Sequence, residues 1–111
     1  MALKGVPNRG EVFLVELDPT RGSEIRKTRP CVVLSPDELN HHLHTVIVAP
    51  MTTGGHAYPY RIDCRFAGKA GRVALDQLRT VDRERLRKLQ GVLGAATVDA
   101  ALSVLREMFA P

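Results

Sequence analysis

The sequence predicts a mainly β protein with a C-terminal helix, a small single-domain β-barrel, on three observations. Five or six short apolar or alternating runs are separated by Gly- and Pro-containing turns. Only the last stretch, from about 96 to 109, repeats apolar residues at helical spacing. A chain of 111 residues, with no internal repeat, low-complexity tract or linker, has room for one core, so 1–111 is read as one domain.

The first strand is expected over Glu11–Leu17, with Phe13, Val15 and Leu17 on one face and Val12 and Leu14 on the other. Both faces are apolar, so a second layer or another subunit must cover the outer one. Asp18-Pro19-Thr20 ends it and opens a basic loop in which Arg21, Arg26, Lys27 and Arg29 surround one carboxylate, Glu24. Pro30 fixes its own φ and holds Arg29 extended at the mouth of the second strand, Pro30–Ser35. One helical turn fits Asp37–Leu39, and Asn40-His41-His42 reads as too polar to extend it. Thr45–Ala49 is a third strand, which Pro50 should confine at its far end to an edge or a bulge, followed by a loop at 52–56. Tyr60–Cys64 alternates, a Gly68–Gly71 turn follows, and Arg72–Leu75 makes a fifth strand. Residues 81–88 read best as a solvated charged segment, and Leu89–Gly94 as a short final strand. In the terminal helix Val98, Ala101, Leu102, Leu105 and Phe109 share a face, with Thr97 or a neighbour as its cap.

Composition narrows the partner. Sixteen Lys plus Arg against twelve Asp plus Glu leave a net charge of +4, with a pI near 9.5, which favours an anion. Twelve of the cations are arginine, whose planar fork suits phosphate. Cys31 and Cys64 lie in apolar or alternating runs and are expected as buried free thiols. The N-terminus lacks a signal-like apolar region, and no run approaches the ~20 apolar residues of a membrane span. A cytoplasmic protein without membrane contact is expected.

The histidines at 41, 42, 44 and 56 lie in loops without the paired spacings of zinc sites, so no metal and no cofactor are expected. A nucleophile elbow, a Walker loop and a dinucleotide fingerprint are all absent. What remains is polar groups at three strand ends: Ser23, Glu24 and Arg29; Thr52 and Thr53; Asp76, Gln77 and Arg79. Arginine, hydroxyl, carboxylate and amide are what cleavage of a ribose phosphodiester needs. The 2′-hydroxyl must lose a proton, the leaving 5′-oxygen must gain one, and the phosphorane between them must be stabilised.

The segments R-G-E-V-F-L-V-E-L-D-P-T-R-G-S-E, K-T-R-P-C-V-V-L-S, V-I-V-A-P-M-T and L-D-Q-L-R-T-V-D-R-E-R-L, in this order, resemble the MazF/PemK (Kid) family of toxin endoribonucleases. The resemblance covers the chain from Arg9 through the terminal helix. It implies an SH3-like barrel of the MazF/CcdB type, a homodimer, and a cognate antitoxin with an acidic flexible segment. It also implies sequence-specific, metal-independent cleavage of single-stranded RNA, leaving a 2′,3′-cyclic phosphate and a 5′-hydroxyl.

On that resemblance Arg29 corresponds to the arginine of the family's R-P pair and Thr52 to the threonine after the A-P-M strand, the two residues most tied to catalysis. Glu24 matches the G-x-E glutamate, and Asp76, Gln77 and Arg79 match the segment lining the RNA groove. Kid-like members carry a histidine at Ser23 and an arginine at Ala74, so Ser23 and Thr52 place the chain nearer the MazF branch. A guanidinium with a pKa above ~12 is a poor base, which assigns Arg29 chiefly to phosphorane stabilisation, with donation to the leaving oxygen as a second role, and Thr52 to orienting the phosphate or the 2′-hydroxyl; Glu24 and Asp76 are both candidates, by chemistry alone, to take the proton. Two rivals differ in class. A CcdB-like topoisomerase poison relies on a tryptophan-bearing C-terminus, and this chain has no Trp. A non-catalytic nucleic-acid-binding barrel would use Arg29 and Arg79 only to hold phosphate.

Overall fold

The computed structural model describes residues 5–54 and 57–111. The expectations for residues 1–4, Gly55 and His56 lie outside them. The elements are β1 (Glu11–Glu16), β2 (Thr28–Val33), α1 (Asp37–His42), β3 (Thr45–Thr52), β4 (Arg61–Phe66), β5 (Lys69–Ala74), β6 (Arg79–Asp82), β7 (Leu86–Val92) and α2 (Ala95–Met108), with 3-10 turns at Leu75–Gln77 and Arg83–Arg85. All pairings are antiparallel, in the order β4-β5-β3-β2-β1-β7, with β6 also on β3.

β3 is the pivot of this sheet and not an edge strand. It pairs with β2 through Val48–Pro50, with β6 through Thr45–Val48, and with β5 through Met51 and Thr52. Pro50 falls between the β6 and β5 stretches, so its missing N–H interrupts neither ladder, and the strand runs on to Thr52. The sheet curls without closing by hydrogen bonds. Its two end strands approach through side chains instead, since a Cβ on Gly91 of β7 would lie 3.1 Å from the ring of Phe66 of β4.

Alternation along the strands fills two cores. Val12, Val32, Ala49 and Met51 point with Val73, Leu75 and Leu93 toward α2, where Val98 and Ala101 are buried. Phe13, Val15, Leu17, Cys31, Val33, Val46, Val48, Val81 and Leu86 form the other core. Each large side chain fully buried here contributes about 1.5–3 kcal/mol of transfer free energy. Both apolar faces of β1 are thus covered largely from within the chain, and β1 gives no argument for a second subunit. Cys31 is buried, whereas Cys64 is half-buried; both are free.

Four local expectations are corrected. The turn read at Gly68–Gly71 ends at Gly68, since β5 already begins at Lys69. α1 extends to His42 because Asn40, fully buried, is tied down: Ser35 Oγ donates to its Oδ1 (2.5 Å), its Nδ2 donates to the Ser35 carbonyl (3.1 Å), and Arg83 Nη2 donates to its carbonyl. The charged run at 81–88 is strand, turn and strand, with Val81 and Leu86 in the core. Its cations fasten the end of β1: Arg85 Nη1 donates to the carbonyls of Glu16 (3.0 Å) and Asp18 (2.6 Å), and Arg87 pairs with Glu16. α2 is capped by Gly94 without a side-chain bond, Thr97 lies inside it, and Phe109 stands beyond its last turn, exposed. Among the described residues no helix is long and apolar enough to cross a membrane.

Candidate active site

The basic loop between β1 and β2 is polar, yet it is fixed at three points. At its base Leu17 N donates to the Lys27 carbonyl (2.9 Å), while the Asp18 carboxylate accepts from Lys27 N (3.1 Å) and Thr20 Oγ1 (2.9 Å). Midway, Ile25 packs on the second core and its N–H donates to Gln77 Oε1 at 3.2 Å. Near the tip, Arg21 to Glu24 is a turn closed by Glu24 N to the Arg21 carbonyl (3.0 Å). The Glu24 carboxylate accepts from Arg21 N. Glu24 therefore folds onto its own turn and forms no ion pair with the surrounding cations among the described residues.

Arg29 lies on β2 opposite Val15, exposed, with Nε donating to the Arg26 carbonyl at 3.2 Å. That bond holds the root of the guanidinium and leaves its outer N–H groups turned to solvent, a geometry suited to a phosphate. Facing it is the end of β3, where Thr52 is half-buried and Thr53 and Gly54 are exposed. Ser23, Glu24, Ile25, Arg26, Arg29, Thr52, Thr53, Gly54, Tyr58 and Arg61 line one open cleft of about 440 Å³. Thr52 is positioned from behind by β5. Its carbonyl lies so close to Gly71 that a Cβ there would sit 2.3 Å away, so only glycine fits.

The third strand end is placed differently. Asp76 does not line the cleft; both its oxygens are held by Arg61, Nε to Oδ1 and Nη2 to Oδ2, each at 2.8 Å. That bond is the main reason its pKa is lowered, with burial opposing and Gln77 assisting, and the same bond raises the pKa of Arg61. The Arg61 guanidinium lies 4.9 Å from the ring centroid of Tyr58. Gln77 tethers the loop through Ile25, and Arg79 Nη1 donates to the Leu17 carbonyl at 3.2 Å, so both brace the loop from outside the cleft. Of the predicted site residues, Ser23, Glu24, Arg29, Thr52 and Thr53 come together, and Asp76, Gln77 and Arg79 stand behind them. Arg26, Tyr58 and Arg61 were not singled out by the sequence reading of the site. Arg26 was legible in the basic cluster, whereas the pairing of Arg61 with Asp76, fifteen residues on, had no local signal.

Burial pushes the Cys31 thiol up to about 12, against a smaller lowering by Arg79, and also raises Cys64, so neither is a ready thiolate at neutral pH. Among the described residues no three His, Cys, Asp or Glu side chains gather in a group able to hold a metal ion.

The sequence is 33% identical over 81 residues, 73% of each chain, to the endoribonuclease toxin MazF of Escherichia coli K12. The fold is similar to the crystal structure of MazF from Deinococcus radiodurans, with a TM-score of 0.83, 25% identity, and coverage of 95% of this chain and 97% of that one. It also matches an endoribonuclease solved with its cognate antitoxin from a mycobacterial species, with a TM-score of 0.73, 22% identity, and coverage of 95% and 99%. The sequence profile of the PemK-like, MazF-like toxins of type II toxin–antitoxin systems matches residues 8–109, and the chain belongs to that family.

Proposed function

We propose that this chain is the toxin of a type II toxin–antitoxin system and cleaves single-stranded RNA by attack of a ribose 2′-hydroxyl on the adjacent phosphate, without a metal ion. The observation that supports this most is the convergence of Arg29, Thr52 and Glu24 on one cleft in a member of this toxin family. The outer N–H groups of Arg29 donate to the phosphate oxygens as charge builds on the phosphorane. Thr52 orients the phosphate or the attacking hydroxyl, and Ser23 and Thr53 bind alongside. Glu24 accepts the 2′-hydroxyl proton, because the residue lines the cleft and, among the described residues, only its Oε1 is bound, by Arg21 N, whereas both oxygens of Asp76 are occupied and its lowered pKa makes it a weaker base. The leaving 5′-oxygen takes its proton from solvent reaching the open cleft.

Residues 1–111 act as one toxin domain in this reading. The protein works in the cytoplasm, where RNA is the substrate and reducing conditions keep Cys31 and Cys64 as thiols. It works as a homodimer, and large apolar side chains left exposed at Leu89, Val92 and Phe109 are available to a second copy. A cognate antitoxin lays an acidic flexible segment across Arg21, Arg26 and Arg29, all exposed, and competes with RNA for them in a salt-dependent way; Arg79, which the sequence also offers to that segment, is half-buried and bound to the Leu17 carbonyl.

The test is Arg29→Ala against a single-stranded RNA pool in EDTA. Loss of one preorganised donor lowers the single-turnover rate by about 10²–10³. Circular dichroism should stay native, since Arg29 is exposed. Equal rates in the two proteins would remove Arg29 from the chemistry.

A further inference from the structure

We infer that Arg61 reads a guanine next to the scissile phosphate, which makes it a specificity-determining residue of this cleft; the inference rests on the endoribonuclease reading above. Arg61 shares the cleft with Arg29 and Thr52, so a base beside the phosphate held there lies within its reach. It differs from the other cleft arginines in how it is held. Arg26 and Arg29 are exposed, whereas the Arg61 side chain is 19% exposed, bound through Nε and Nη2 to Asp76, and covered on one face by the Tyr58 ring.

A phosphate, with acceptors on every side, is met well by a guanidinium held only at its root, as Arg29 is by the Arg26 carbonyl. A base edge is distinguished only by donors whose direction is fixed. The bidentate bond to Asp76 consumes the Nε side of the guanidinium, and Nη1 makes no hydrogen bond among the described residues. The remaining edge therefore offers two parallel donors, one on Nη1 and the second hydrogen of Nη2. Two parallel donors match the adjacent acceptors O6 and N7 of guanine. On the same edge adenine opposes them with its N6 amino group, cytosine with N4, and uracil offers only O4; the unpaired Watson–Crick edge of cytosine, with N3 and O2, is the one competing match, and a preference for cytosine at the flanking position overturns the guanine subsite. Asp76 is thereby a positioning residue: with its pKa lowered it stays ionised at neutral pH and keeps Arg61 aimed.

The experiment uses the full chain and oligoribonucleotides carrying one cut site, with each position flanking the scissile phosphate varied in turn. The wild type should prefer guanine at one flanking position. There, 7-deazaguanine, which lacks the N7 acceptor, should lower kcat/KM about tenfold, while inosine, which keeps O6 and N7, should not. In Arg61→Met the ratio between guanine and 7-deazaguanine should collapse toward one. Asp76→Asn, which keeps Arg61 but loosens it, should reduce the ratio in part, and it carries the test if Arg61→Met does not fold. A wild type that cuts RNA without distinguishing guanine from 7-deazaguanine at any flanking position overturns the guanine subsite and leaves the endoribonuclease intact. An equal loss on all sequences in Arg61→Met also overturns it, because that is the mark of a phosphate contact. A wild type that cuts no RNA overturns the functional reading itself.

Discussion

Gly71→Ala links the packing behind the cleft to the chemistry in front of it. The added Cβ would start 2.3 Å from the Thr52 carbonyl oxygen, and real Cβ contacts essentially never fall under 3.0 Å. The atom in the way is backbone, so no side-chain rotation relieves it. β5 or the end of β3 must retreat by about 0.7 Å or more, from a position set by the pairing of Thr52 with Arg72 and Met51 with Val73. Overpacking of this kind costs about 1–3 kcal/mol. In a domain of this size that lowers Tm by about 4 °C or more. Misplacing a catalytic group by about 1 Å costs up to about 10²-fold in rate. Thermal unfolding followed by circular dichroism, together with single-turnover RNA cleavage, reads both effects. Unchanged Tm and rate would mean that the close approach of β5 to Thr52 is not a constraint. A lowered Tm with an unchanged rate would instead remove Thr52 from the chemistry.

Two further outcomes follow from the titrating groups. The folded pKa of Asp76 is depressed, so its pair with Arg61 stabilises the fold above the ordinary carboxylate value of 3.8 and ceases to as pH falls through the lower folded value. Asp76→Asn should therefore be less stable at neutral pH, by no more than about 1 kcal/mol for a pair whose carboxylate is open to solvent, and the gap should close below about pH 4; a gap independent of pH in thermal unfolding would refute this. The Cys31 thiol, held near 12 in the core, should resist iodoacetamide in the native protein at about pH 8 and react on unfolding, after Cys64. Mass spectrometry showing Cys31 modified first would contradict its placement.

Periodicity carried the terminal helix and the first strand, because Phe13, Val15 and Leu17, or Val98 and Ala101, repeat at the period of the surface they bury, and continuous apolar runs bounded by proline carried the second and third strands. It failed where polar residues are held by distant partners. Asn40 looks like a helix breaker until Ser35 and Arg83 are placed around it, and Arg85 and Arg87 look solvated until the end of β1 and Asp18 offer their carbonyls and Glu16 its carboxylate. The same asymmetry runs through the site. Arg29 and Thr52 stand out as single residues at the mouths of strands, so motif resemblance reached them, whereas the roles of Asp76, Gln77 and Arg79 are relational and depend on Arg61, Ile25 and Leu17 from elsewhere in the chain.

The ribose 2′-hydroxyl is the most direct test of the account, since every role given to Arg29, Thr52 and Glu24 is defined around it. An oligoribonucleotide with a single deoxyribose at the cut site keeps its phosphates and bases, and should bind with the affinity of the all-ribose strand. It should not be cut, in EDTA or without it, while the all-ribose strand is cut to a 2′,3′-cyclic phosphate and a 5′-hydroxyl. Cleavage of the deoxy-substituted site at an undiminished rate would contradict the mechanism even if the protein proved to be a nuclease.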